Sequence, residues 1–198
     1  MPARSDVSDA PRRADSGIAL FLARWLANPL QMGSVVPSSP ALCRRVVQQV
    51  RRGPEAWVLE LGAGTGVVSR ALLAGRMPPE RVTVLEIVPD MADHLRTRLP
   101  GVEVIEGDAR ALPELIPRGR HGRIGSVICG IPMVLLPLAE QRRLIEAIEA
   151  VAPGRGFLHC SYCVTSPLQH GLAAKREAWT PLNIPPANVW RYTPVAAA

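Results

Sequence analysis

The chain has 198 residues, 47% of them hydrophobic, and a formal net charge of +6. That length suits one domain with a sizeable core, and no stretch approaches the roughly eighteen consecutive apolar residues of a membrane span. The first sixteen residues are polar, the apolar stretch after them is broken by Arg24, and there are only four cysteines, so neither a secretory signal nor a disulfide scaffold is expected.

Residues 1 to 15, rich in Ser, Asp, Pro and Arg, read as a disordered lead. A helix is predicted from Ser16, a capping residue, with Ile18, Phe21, Leu22, Trp25 and Leu26 on one face; Asn28-Pro29 stops it. Gln31 to Ser39 is loop-like. Ser39-Pro40 then starts a second helix over Ala41 to Arg52, with Leu42, Val46, Val47 and Val50 inward. Residues 1 to 52 carry eight arginines against Asp6, Asp9 and Asp15, which places nearly all of the net charge in this N-terminal part. Such a surface suits an anionic partner, either phospholipid headgroups or nucleic acid.

From residue 55 strands and helices alternate. Strands are predicted at Trp57–Leu61, Arg81–Glu86, Val102–Glu106, Ile124–Cys129 and Gly156–Tyr162, with helices near Val67–Ala74, Asp90–Leu99 and Leu138–Ala150. Trp179 lies near one late strand and Val189 to Tyr192 in another. Repeated βα units argue for an α/β fold: a mostly parallel, Rossmann-like sheet with helices on both faces and its ligand at the carboxyl ends of the strands.

Those ends carry the chemistry. Gly62, Gly64 and Gly66 follow the first strand and open a helix, so backbone can approach a ligand beside free N–H groups. The run is G-x-G-x-G, not the dinucleotide G-x-G-x-x-G, and no G-K-[S/T] follows, which excludes a P-loop. Glu60 before it would repel a pyrophosphate but suits a cationic or amino-acid-bearing ligand. Glu86, Asp108-Ala109 and Gly130-Ile131-Pro132 stand at the next three strand ends, where carboxylates can accept ribose hydroxyls and an adenine amino group. Any one of these alone is weak, and Glu86 alone would read as a surface acid.

Glu60-Leu61-Gly62-Ala63-Gly64-Thr65-Gly66 resembles motif I of the class I S-adenosylmethionine-dependent methyltransferases. Trp25 to Pro29, Gly33 to Ser39 and Leu182 to Tyr192 resemble bacterial phospholipid N-methyltransferases of the short rhizobial type, and the resemblance covers about residues 16 to 192. It implies a methyltransferase core over 53–198, preceded by membrane-binding or lid helices over 16–52. It implies S-adenosylmethionine as cofactor, S-adenosylhomocysteine as product and no metal. By position, Glu60, Gly62, Gly64 and Gly66 would hold the methionine end, Glu86 the ribose, Asp108 and Ala109 the adenine. Gly130 and Ile131 would lie beside the methyl group. Ser38 and Ser39 could close the site over the cofactor carboxylate or simply cap the next helix. Ala63 stands where that family commonly has proline, a small change that keeps the turn.

The implied reaction is stepwise methylation of phosphatidylethanolamine to phosphatidylcholine through its mono- and dimethyl forms. It is expected of a monomer bound to the inner face of the cytoplasmic membrane, with no nucleic-acid partner. Ile18, Phe21, Leu22, Trp25 and Leu26, with Arg24, would lie in an anionic lipid surface. Tyr162 is a candidate to cradle the amine, with Trp190, Arg191 and Tyr192 on the lipid side. In a strand Arg191 faces away from its two neighbours, so either the arginine or the aromatic pair would point at the site. His159 is mid-strand and reads as packed, leaving the general base open. An ornithine-lipid N-methyltransferase is the alternative that shares these features. An adenine dimethyltransferase of ribosomal RNA is the rival class, but it carries N-[L/I]-P-[Y/F] where this chain has Gly130-Ile131-Pro132-Met133. Cys160-Ser161-Tyr162-Cys163 has metal-ligand spacing without a second pair, and reads as structural thiols.

Overall fold

A computed structural model describes residues 38–51, 56–163, 165, 166, 168, 171–181 and 186–195. The predicted lead, the apolar face Ile18 to Leu26 with Arg24, and the segment 182–185 lie outside the described residues.

Helix α1, Pro40–Gln49, begins where its sequence chemistry places it. Ser39 accepts the Leu42 N–H on its side chain at 3.2 Å, and proline occupies the first turn. The helix is shorter than expected: Val50 turns extended, burying its side chain, and its N–H closes onto the Val47 carbonyl. Strand β1 (Trp57–Leu61) leads through the glycine loop into α2 (Val67–Ala74). Then follow β2 (Val82–Glu86), α3 (Pro89–Arg98), β3 (Glu103–Glu106), the short α4 (Leu112–Leu115), β4 (Ile124–Cys129), α5 (Leu138–Val151) and β5 (Phe157–Ser161). Strands β6 (Leu172–Thr180) and β7 (Ala187–Pro194) complete the fold.

The seven strands form one sheet in the order β3-β2-β1-β4-β5-β7-β6. Strands β1 to β5 pair in parallel, as expected. The tail departs from a parallel plan: β7 runs antiparallel to β5, and β6 pairs antiparallel with β7. Helices cover both faces. Leu42, Val46, Leu72 and Leu95 of α1 to α3 bury one face against Val58, Val82 and Ile128. Leu112, Leu144, Ile148 and Val151 of α4 and α5 bury the other against Leu59, Val127 and Phe157. The arrangement is the Rossmann-like α/β fold of class I methyltransferases, a central mixed sheet between two helical layers.

Register makes the site. Leu61 is opposite both Leu85 and Cys129, and Leu85 is opposite Ile105. The residues that follow (Gly62, Glu86, Glu106 and Gly130) therefore emerge side by side at one edge, with Gly107 just beyond Glu106. Three backbone bonds stitch them: Gly62 N–H to Leu85 O at 2.8 Å, Gly130 N–H to Leu61 O at 2.8 Å, and Gly107 N–H to Glu86 O at 3.0 Å.

Candidate active site

A pocket opens at this edge, lined by Gly62, Leu85, Glu86, Ile87, Gly107, Asp108, Ala109, Gly130, Ile131 and Pro132. Six residues singled out in the sequence are brought together here: Gly62, Glu86, Asp108, Ala109, Gly130 and Ile131. Pro132, named with Gly130 and Ile131 at the fourth strand end, is here as well; Leu85, Ile87 and Gly107 were not singled out, although each adjoins a residue that was.

The floor requires small residues. Gly62 has φ +68°, and a Cβ there would meet Ile131 Cγ1 at 2.9 Å. A Cβ on Gly130 would stand 2.6 Å from the Gly62 carbonyl oxygen, so the two loops cross in backbone contact. A flat, side-chain-free floor beside carboxylates suits a nucleoside-bearing ligand.

Glu86 is buried, 1% exposed, and its carboxylate is held by the backbone. One oxygen accepts the Gly64 N–H at 3.0 Å; the other accepts those of Ile87 at 3.0 Å and Val88 at 3.2 Å. The acid thus clamps the glycine loop to the end of β2 while lining the pocket. Gly64 and Gly66 hold positive φ within that loop without lining the pocket.

Asp108 accepts the Arg110 N–H at 2.9 Å and its guanidinium through both oxygens. Burial pushes the Asp108 carboxyl pKa up, but these bonds outweigh it and hold it below its ordinary value. Arg110 also pairs with Glu140 on α5, which takes Arg143 as well. Sequence reading missed this chain of charges. The pairing of Asp108 with Arg110 two residues on was its only local sign.

Glu60 is not on the pocket wall. It lies behind the glycine loop, 3% exposed, where Ser69 donates to its carboxylate. Desolvation, opposed by the Ser69 bond and reinforced by Glu86, raises its pKa to about 7. The expected placement at the mouth of the cradle is therefore replaced by a buried post beneath it. Ser39 acts as the cap of α1, and the Ser38 carbonyl accepts the Cys43 thiol at 3.5 Å.

The candidate lipid-side residues scatter. Arg191 is half-buried and committed: its guanidinium binds Glu177 at 2.8 Å and the Gln49 carbonyl, at the end of α1, at 2.8 Å. Tyr192 is fully buried, stacked on Phe157 with ring centroids 5.2 Å apart, and its hydroxyl lies 3.1 Å from that of Ser166. Register explains this. Tyr192 pairs with Phe157 at the start of β5, about 13 Å along the strand from the Ser161 end. Trp190 pairs with His159 and packs in the core with its indole N–H unbonded. None of the three lines the pocket. Tyr162, just past β5, is partly buried against the α1–α3 layer and is also off the pocket wall.

His159 is buried, and its Nδ1–H donates to the Cys129 carbonyl at 3.1 Å. Burial lowers its pKa to about 4, so the ring is neutral, packed as expected. Burial pushes the Cys129 and Cys160 thiols up to about 12, which makes them unreactive. Among the described residues no group of three His, Cys, Asp or Glu side chains could hold a metal ion, and no helix is long and apolar enough to cross a membrane.

Residues 58–156, from β1 to the turn before β5, match the methyltransferase domain family. The chain belongs to this family. Its fold is that of an S-adenosylmethionine-dependent methyltransferase. The chain is 35% identical over 143 residues to an ornithine lipid N-methyltransferase of Singulisphaera acidiphila, covering 70% of this chain and 74% of that protein. It is 29% identical over 153 residues to a ribosomal RNA small subunit methyltransferase A of a Synechococcus species, covering 68% of this chain and 51% of that one. In structure this methyltransferase resembles TrmN of Thermus thermophilus, with a TM-score of 0.58 at 17% identity over 87% of this chain and 53% of TrmN. A TehB-like SAM-dependent methyltransferase of Corynebacterium glutamicum gives 0.54 at 12% identity over 91% of this chain and all of the other. At such identities these two likenesses speak for the fold alone.

Proposed function

We propose that this methyltransferase methylates the amine of a membrane lipid. An ornithine lipid is the first candidate acceptor. Phosphatidylethanolamine, taken stepwise through its mono- and dimethyl forms to phosphatidylcholine, is the second. The observation that carries the reading is the 35% identity shared with an ornithine lipid N-methyltransferase over 74% of that protein's length. It moves the first place from phosphatidylethanolamine, which motif resemblance alone favoured, to the ornithine headgroup. Both acceptors present a primary amine beneath acyl chains.

The pocket residues fit S-adenosylmethionine. Gly62 and Gly130 leave room for its body; Glu86 would take the ribose, and Asp108 with Ala109 the adenine. When bound, that cofactor supplies a methyl group already activated on a sulfonium. The protein's task is mainly to position the amine, because displacement needs an in-line nucleophile more than side-chain chemistry. Ile131 and Pro132 form the apolar wall on that side. The amine must lose its proton before attack. His159 does not take it from this pocket, since the ring is buried with its Nδ1–H committed to Cys129. Release to water is the route we favour.

We place the enzyme as a monomer on an anionic inner-membrane surface, with the segment bearing Ile18, Phe21, Leu22, Arg24, Trp25 and Leu26 as one contact. The ribosomal RNA reading has a relative behind it, at about half that relative's length. The turn Gly130-Ile131-Pro132-Met133 argues against it, having neither an amide nor an aromatic to hold a flipped base. The test is purified enzyme with labelled S-adenosylmethionine and, in separate reactions, vesicles containing ornithine lipid, vesicles containing phosphatidylethanolamine, and small-subunit ribosomal RNA. Labelled lipid is expected. Label in RNA with none in either lipid overturns the reading.

A further inference from the structure

Five large hydrophobic side chains are exposed among the described residues, and four stand at the pocket end of the sheet. Val134, Leu135 and Leu138 follow directly on the pocket residues Ile131 and Pro132. They are held outward. The Met133 N–H binds Ile131 O at 2.7 Å, Leu135 binds Pro132 O at 2.9 Å, and Leu136 binds Met133 O at 3.0 Å. The Gln141 side-chain amide donates to Leu136 O at 2.9 Å. Met133 and Leu136 anchor this turn in the core, so the residues between and beyond them have nowhere to point but out; Leu138 is 64% exposed. Trp179, 57% exposed, is opposite Asn188 on β7, which is opposite Ser161 at the end of β5. It thus stands at the same edge, three strand spacings or roughly 14 Å from β4. The fifth, Val195, bonds Gly171 at the start of β6, at the other end.

We propose that this rim rests on a phospholipid bilayer. Val134, Leu135, Leu138 and Trp179 enter the boundary between headgroups and acyl chains, Arg142 meets anionic headgroups, and the pocket opens toward the membrane. The inference rests on the lipid-amine reading and adds a surface separate from the N-terminal segment. Arg142 is one turn beyond Leu138 on α5 and, like Arg143, exposed. Glu140, the acid between them, is buried and bound by Arg110 and Arg143, so it does not set a negative charge against the lipid. Tryptophan is the residue that favours the membrane interface. A protein partner fits less well. Three aliphatic side chains and one distant indole fall far short of the roughly 800 Å² per side that a stable protein interface buries. A bilayer needs no such continuous area, since each apolar side chain and each arginine contributes separately.

The experiment uses the full chain and vesicles of phosphatidylglycerol and phosphatidylcholine, with ornithine lipid or phosphatidylethanolamine added as the amine acceptor where turnover is read. Wild type is compared with a Leu135→Glu, Leu138→Glu double variant and with Trp179→Ser. All three positions are exposed, and glutamate at Leu138 sits in the first turn of α5, where a negative charge is favoured. Binding of S-adenosylhomocysteine should therefore be unchanged in both variants. Sedimentation with vesicles should fall about tenfold or more in the double variant and less in Trp179→Ser. Turnover of lipid amine in vesicles should fall in parallel, with turnover in detergent micelles retained. Wild-type sedimentation matched by both variants overturns the rim and leaves the lipid-amine reading intact. So does a wild type that stays off vesicles yet methylates lipid in micelles. If wild type neither sediments nor methylates any lipid amine, both fall. Dimers of wild type that the double variant dissolves would make the rim a contact between copies and overturn the proposal.

Discussion

The Glu86 carboxylate accepts the Gly64 N–H at 3.0 Å, joining the end of β2 to a loop twenty-two residues earlier in the chain. Because the same carboxylate lines the pocket, ligand recognition and loop geometry depend on one side chain. Glu86→Ala should lose charge-assisted bonds on the order of 1.5–3 kcal/mol each, weakening S-adenosylmethionine binding by at least about tenfold. Calorimetry checks this, and NAD and ATP should show no comparable binding to the wild type.

Gly130→Ala should be worse than Gly62→Ala. The added methyl at 130 meets the Gly62 carbonyl oxygen, whereas at 62 it meets Cγ1 of the Ile131 side chain. The second clash can be relieved by a rotamer change, although the positive φ at Gly62 adds its own strain of about 1–2 kcal/mol. Denaturant titration and cofactor binding of the two variants should rank them accordingly.

Two buried groups pull the pH dependence of stability in opposite directions. Glu60 titrates near 7 in the folded chain against an ordinary 4.5, so the native state binds more protons between those values and stability falls as pH rises through them. His159 titrates near 4 against 6.5, so its contribution is complete above 6.5 and is lost as pH falls toward 4. Each amounts to something on the order of 3 kcal/mol, so between pH 4.5 and 6.5 they largely offset. Glu60→Gln should leave stability rising with pH across that window. His159→Gln should leave it falling. Urea titrations at several pH values separate the two.

Arg191→Ala should destabilise the protein without changing the apparent affinity for a lipid acceptor. The substitution leaves the half-buried Glu177 without its main partner and removes the donor to the Gln49 carbonyl, at a cost of about 2–4 kcal/mol. A raised KM for lipid at unchanged stability would return Arg191 to the substrate site.

Much of the site was legible because hydrophobic runs fix strand ends, and parallel register aligns them. The bounds of β1, α2 and β4 follow directly from Trp57–Leu61, Val67–Ala74 and Ile124–Cys129. Once these lie in parallel, Gly62, Glu86, Asp108 and Gly130 must converge. The antiparallel tail was not legible, since alternation at Val189 to Tyr192 is the same in either strand direction. Arg191 looked like a ligand-binding cation because its partners lie 14 and 142 residues away in sequence. Glu60 looked like a rim acid because nothing local reveals that Ser69 folds over it.

The last two strands carry a consequence for the order of assembly. Among the described residues, β6 pairs in the sheet only with β7, while β7 lies between β6 and β5. As the chain leaves the ribosome, β6 therefore emerges with no pairing partner and must wait for residues 187–194 to dock on β5. Until then the edge of β5 is open and the β6 backbone unsatisfied. Lys175, Arg176 and Glu177, at the middle of β6, place charge on that waiting strand. They would discourage it from pairing with another nascent chain before its own last strand arrives.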